Sequence, residues 1–108
     1  DRLWRLPVAP DGTVGSPEPF GLAQDDPQAR LHVPDGLCVD DRGRVYVANN
    51  STEVSAIMIF DTAGHLAGRI AFPVPPSNCS FGGADHRTLY VTTLHAVYEV
   101  SMRTPGLP

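Results

Sequence analysis

The chain has 108 residues, 42% of them hydrophobic and 19% charged, with a formal net charge of −4 at pH 7. That balance leaves no basic footprint for nucleic acid or an anionic membrane surface, and no apolar run approaches the roughly 18 to 20 residues of a spanning helix. Ten glycines and eleven prolines point to many turns rather than long helices, so an all-β fold is expected, as one domain over residues 1–108.

The first apolar stretch, Leu3-Trp4-Arg5-Leu6, reads as a strand, and Pro10-Asp11-Gly12-Thr13 as a tight turn. Val14 to Phe20 is short and interrupted by proline, which cannot donate to a central ladder, so it reads as an edge strand. Asp25-Asp26-Pro27-Gln28-Ala29-Arg30 is a polar connection, and its carboxylate pair reads as a solvated loop rather than an acid/base site.

Four strand signals follow, at about 36–40, 44–48, 55–60 and 66–72, separated by Asp41-Arg42-Gly43, by Asn49 to Glu53 and by Asp61-Thr62-Ala63-Gly64. Four short antiparallel strands make one propeller blade. The third, Ser55 to Phe60, is apolar enough to be covered on both faces. The order then begins again with Ser77 to Phe81, Thr88 to Thr92 and Ala96 to Ser101. Pro34 and Pro76 lie 42 positions apart and Tyr46 and Tyr90 lie 44 apart, within the 40 to 50 residues typical of a blade. The count gives half a blade, one whole blade and three strands of another, about two and a half in all. No window of helical length carries an amphipathic stripe free of Gly or Pro.

Asp35 stands between a proline that restricts its neighbour and a glycine that frees the backbone, just ahead of the first strand of the complete blade. Pro-Asp-Gly is also a common turn sequence, so a turn-only role competes with a ligand role. Asp40 and Asp41 are expected to face the outer turn, and Asn49 and Asn50 to be turn residues that end the second strand. His32 is given a surface or packing role, and His65, His86 and His95 carry no ligand spacing. Cys38 and Cys79 are the only cysteines. Each reads as a small buried hydrophobe in a strand, reduced rather than bridged, and neither as a nucleophile.

Pro34-Asp35-Gly36-Leu37, then Asp40, Gly43 and Tyr46-Val47-Ala48, then Ser77-Asn78-Cys79-Ser80-Phe81-Gly82-Gly83 and Thr88-Leu89-Tyr90-Val91-Thr92 resemble, in that order, the gluconolactonase/regucalcin (senescence-marker-protein) family of metal-dependent lactone hydrolases. The resemblance runs from about Arg2 to Arg103 and implies a partial β-propeller, about two and a half blades of a six-bladed whole. It also implies the carboxyl-terminal part of a longer lactonase, or a truncated reading frame, and leaves the compartment open.

By the same resemblance, a single divalent cation sits in the central channel, calcium first and zinc, magnesium or manganese as alternatives, held by oxygen ligands. The family's Pro-Asp-Gly carboxylate, at once metal ligand and catalytic base, maps onto Asp35. Asn78 could reach the channel as a substrate-binding residue. The implied partner is a small-molecule lactone, with no nucleic acid and no membrane, and open sheet edges leave self-association possible. The alternative is a non-catalytic propeller segment used as a binding or interaction module. Since one carboxylate leaves an ion mostly hydrated, the 108-residue chain by itself is expected to be inactive and to bind calcium weakly or not at all.

Overall fold

A computed structural model describes residues 2–21, 27 and 29–108, and every regular element among them is a strand. The Asp25-Asp26 pair lies outside the described residues. Strands β1 (Leu3–Arg5) and β2 (Glu18–Phe20) form a two-stranded sheet. The Val14 to Phe20 strand expected from sequence shrinks to three residues. Pro19 sits opposite Trp4 with no N–H to offer, and Pro17 precedes the strand, so pairing beyond Glu18 is confined to an isolated Val8–Val14 bridge.

The second sheet holds β3 (Pro34–Val39), β4 (Val45–Asn49), β5 (Ala56–Phe60) and β6 (Leu66–Ala71), paired in that order and antiparallel throughout. The third holds β7 (Pro76–Gly82), β8 (Thr88–Thr93) and β9 (Val97–Ser101), again in sequence order. The all-β expectation is borne out, and the positions of β3 to β9 match to within a residue or two at each end.

β4 and β5 are the middle of the molecule because their side chains are apolar on both faces. Val47, Ala56, Met58 and Phe60 pack toward β2 with Phe20 and Leu31, where Phe60 meets Phe20 edge-on at 6.4 Å. Tyr46, Ala48 and Ile57 pack the other way, against Cys79, Leu89 and Val91 of the third sheet, and Tyr46 meets Phe81 edge-on at 5.1 Å. Alternation along two strands thus joins three sheets through two cores.

The two inner strands share an irregularity that the sequence did not announce. Pro34 pairs with Asn49 and Leu37 with Val47, so three steps on β3 face two on β4. Pro76 pairs with Thr93 and Cys79 with Val91, the same count on β7 and β8. Each inner strand therefore opens with a proline and then a bulge, which turns the side chains beside it out of the regular alternation. The mismatch of 42 against 44 positions also has a place. Val39 pairs with Val45, whereas Phe81 pairs with Leu89, so the second hairpin turn is two residues longer.

At the far end of β3 Asp40 and Asp41 both stand at the hairpin turn, as expected, but their exposure differs. Asp41 is exposed, but Asp40 is fully buried. Its Oδ1 accepts the backbone N–H groups of Arg42 and Arg44, both at 3.0 Å, while Oδ2 accepts Arg44 Nε at 2.7 Å and the Tyr46 hydroxyl at 3.1 Å. Arg44 continues to Thr104 Oγ1 at 2.8 Å. Two of its four donors are N–H groups of the turn itself, and the chain from Thr104 to Leu107 covers it. That segment donates Leu107 N–H to Val39 O, accepts Asp41 N–H at Pro105 O, and donates Gly106 N–H to His86 O, so it ties the turns of the two hairpins together.

Candidate functional site

Asp35 occupies the bulge at the opposite end of β3 and is exposed. Its one side-chain hydrogen bond among the described residues comes from Asn50 Nδ2, at 3.3 Å to Oδ2. The carboxylate is thus anchored by a rigid Pro34 and a bulged backbone while most of its lone pairs stay open. Gly36 follows because nothing larger fits. A Cβ there would stand 1.9 Å from Asn78 Oδ1 and 2.7 Å from Asn78 Cα. The starts of β3 and β7 are packed against each other at this glycine, which brings Asp35-Gly36 and Asn78 to one rim.

Asn78 is exposed, and its Oδ1 accepts the backbone N–H of Cys79 at 2.8 Å. It lines a shallow cleft of about 230 Å³ with Cys79, Ser80, Tyr90 and Thr92. A larger cleft, about 500 Å³, lies beside the Asp35 partner and is lined by Asn50, Val74, Pro75, Ser77, Thr93, Leu94 and His95. Ser77 stands in β7 where Asp35 stands in β3, and its hydroxyl is 2.9 Å from Thr92 Oγ1 and 3.2 Å from Thr92 O.

The two asparagines at the end of the second strand were read as turn residues, and the structure separates them, with Asn49 the last residue of β4 and Asn50 beyond it. Asn49 is fully buried, accepting His32 N–H at 2.8 Å and donating to Val54 O at 2.8 Å, so it clamps two loops across the strand end. Asn50 is the partner of Asp35. Hairpin symmetry carries the signal that could have found it, since the residue after the one opposite Pro34 must lie near the mouth of the blade. His32 keeps its packing role, with Nε2 3.3 Å from Glu53 Oε2. His95, set aside for want of ligand spacing, lines the larger cleft.

Cys38 and Cys79 are both free, as expected, but they are not independent. Their sulfurs are 3.4 Å apart across the β3–β7 contact, and Cys79 Sγ is also 3.6 Å from Tyr46 O.

Among the described residues no group of three or more His, Cys, Asp or Glu side chains is placed to hold a metal ion. A hard cation such as calcium takes six to eight oxygens. A single carboxylate, Asp35, with the Asn50 amide N–H turned toward it, does not make such a shell among the described residues.

Three small antiparallel sheets in chain order, the second and third packed together along bulged inner strands, are part of a β-propeller. The chain superposes on a luciferin-regenerating enzyme with a TM-score of 0.81 at 20% identity, over 98% of this chain and 40% of that one. It matches a putative gluconolactonase with a TM-score of 0.78 at 24% identity, over 99% of this chain and 33% of that one. A gluconolactonase of Xanthomonas campestris gives a TM-score of 0.68 at 24% identity, over 94% and 30% of the two chains. In sequence the chain is 36% identical over 63 residues to regucalcin of Sus scrofa, which is 56% of this chain and 20% of that protein. To regucalcin of Xenopus laevis it is 33% identical over 76 residues, 68% of this chain and 23% of that protein. It belongs to the SMP-30/Gluconolactonase/LRE-like family, whose description matches residues 1–95. The chain spans between a fifth and a quarter of the length of these two regucalcins.

Proposed function

We propose that this chain forms one wall of a lactone-hydrolysing site, with Asp35 as the carboxylate that holds the attacking water and takes its proton. The observation that carries the reading is the state of Asp35 itself: exposed, set in a bulge, anchored by proline, and bonded through Asn50 alone among the described side chains. A base needs an open lone pair at a fixed place, and this carboxylate has both. The cleft beside Asn50 is within the size range of small-molecule sites, with Ser77, Thr93 and His95 as polar groups in a wall of Val74, Pro75 and Leu94. Such a lining suits a small hydroxylated ring, and Asn78, across Gly36 on the neighbouring shallow cleft, is the substrate contact on the other side of the rim.

Asp35 would also be one oxygen donor to a divalent cation, calcium first. Its remaining donors come from outside the described residues of this chain. A bound cation would polarise the lactone carbonyl and stabilise the oxyanion. What this chain itself contributes is the base, its Asn50 tether and the rim against Asn78.

The test uses a longer parent protein that contains this chain together with further blades. There Asp35→Asn should reduce gluconolactone hydrolysis at least a thousandfold and leave the melting temperature within about 2 °C, because an exposed side chain is exchanged for its isostere. In the 108-residue chain, calorimetry should find no micromolar calcium binding. Unchanged turnover in the variant would overturn the assignment and leave the second reading, a propeller segment that serves as an interaction module.

A further inference from the structure

We propose that Cys38 and Cys79 are a modification site at which a hydroperoxide is reduced and a disulfide forms between β3 and β7. The sulfurs are 3.4 Å apart in the folded chain, on neighbouring strands of two different sheets. A disulfide bond is about 2.05 Å long, so roughly 1.4 Å of closure is needed. Side-chain rotation with a small approach of the strands supplies it, and Gly36 already lets β3 and β7 come close beside the pair.

The two thiols are not equivalent, and their surroundings assign the roles. Cys79 is 5% exposed, packed in the cluster with Tyr46, Leu89 and Val91 at the edge of the shallow cleft beside Asn78, whereas Cys38 is half-buried. The Cys79 thiol bonded to Cys38 holds Cys38 below the ordinary thiol range, against burial and the negative charge of Asp40. That same bond and its own burial push the Cys79 thiol up. Cys38 is therefore the attacking sulfur and Cys79 the one that resolves.

In the first step the Cys38 thiolate attacks the outer peroxide oxygen. The O–O bond breaks, a proton joins the leaving alkoxide or hydroxide, and Cys38 becomes a sulfenic acid. In the second step Cys79 attacks the Cys38 sulfur, and the sulfenic hydroxyl leaves with the Cys79 proton as water. Two thiols are oxidised by two electrons and one hydroperoxide is reduced to an alcohol and water, or to two waters when the oxidant is hydrogen peroxide. With the resolving thiol in contact, the sulfenic acid is consumed before further oxidation. The disulfide fixes the two strands that carry Asp35 and Asn78 and closes the chain from 38 to 79 into a loop.

The experiment treats the 108-residue chain with one equivalent of hydrogen peroxide and follows intact mass and thiol alkylation. The expected product is a monomer lighter by two hydrogens with no alkylatable thiol, restored by dithiothreitol, with a melting temperature raised by on the order of 10 °C. Closure should be at least about tenfold faster in buffer than in denaturing urea, because the fold holds the sulfurs together. Cys79→Ser should accumulate a sulfenic acid on Cys38 that a cyclic dione traps, and Cys38→Ser should consume peroxide at least about tenfold more slowly. Equal rates in buffer and urea, disulfide-linked dimers, or sulfinic acid on Cys38 with Cys79 still alkylatable would overturn the proposal. So would a Cys38→Ser variant as reactive as the natural chain.

Discussion

β3 and β7 begin alike and are used differently. Both open with a proline opposite the last residue of the next strand, and both bulge before the ladder resumes. In β7 the residue after the proline is Ser77, whose hydroxyl is committed to Thr92. In β3 it is Asp35, which gives one oxygen to Asn50. The contrast repeats between the start of β3 and the residue just past its end, where the aspartate five residues on, Asp40, is buried under four donors. Residue type does not decide which carboxylate holds the fold and which can meet a ligand. The number of converging donors and the depth of burial do.

The largest effect should come from emptying the buried end. Asp40→Ala strands two backbone N–H groups, the Tyr46 hydroxyl and the Arg44 guanidinium at once, so it should cost about 3 to 5 kcal/mol and leave most of the chain unfolded in a urea titration. Burial alone would raise the Asp40 pKa, but the bonds from Arg44, Tyr46 and Arg42 outweigh it and hold the carboxyl below its ordinary value. A depressed carboxylate stabilises the fold fully above the unfolded pKa, and that contribution is lost as pH falls through the folded value. The urea midpoint should therefore drop below about pH 4, and less steeply in Asp40→Asn. At the alkaline end, burial together with the Asp40 bond pushes the Tyr46 phenol up to about 12, so absorbance near 295 nm should show a tyrosine that resists ionisation until then. Its raised value makes the fold lose stability as pH rises from about 10 toward that point.

The next effect tests the contact between the two starts. Gly36→Ala places a methyl against the Asn78 backbone, and because the Cα cannot rotate away the strands must separate, at about 1 to 3 kcal/mol. Gly68 in β6 is the control, since a Cβ there meets nothing within 4 Å. Gly68→Ala should be neutral or slightly stabilising by thermal melting.

Much of this architecture was legible because the signals were local. Alternation and turn residues place β3 to β9 to within a residue or two, and the 42 and 44 offsets foretell a repeat whose second turn is longer. What escaped depends on partners distant in sequence. Asp40 was legible as a turn aspartate but its burial was not, because the cover arrives from Tyr46 and, through Arg44, from Thr104. Asn49 looked like a turn amide because His32 and Val54, which it binds, flank it on different loops. The sulfur contact pairs residues 41 positions apart and depends on how two sheets pack. Asp35 was singled out from motif and resemblance, whereas its tether to Asn50 needed the bulged register.

The smallest effects bear most directly on the comparison of the two bulges. Ser77 is half-buried and its hydroxyl bridges to Thr92, so Ser77→Ala removes a structural bond and should cost about 1 kcal/mol. Asp35 is exposed with a single 3.3 Å bond, so Asp35→Asn should change stability by less than about 0.5 kcal/mol. The two variants, unfolded side by side in urea, turn the contrast into a difference of midpoints. If Asp35→Asn is as costly as Ser77→Ala, the carboxylate is spent on the fold as the hydroxyl is, and the case for an open base at this rim fails. If it is neutral, the start of β3 carries a charge that the fold does not need, which is the condition a ligand-directed aspartate must meet.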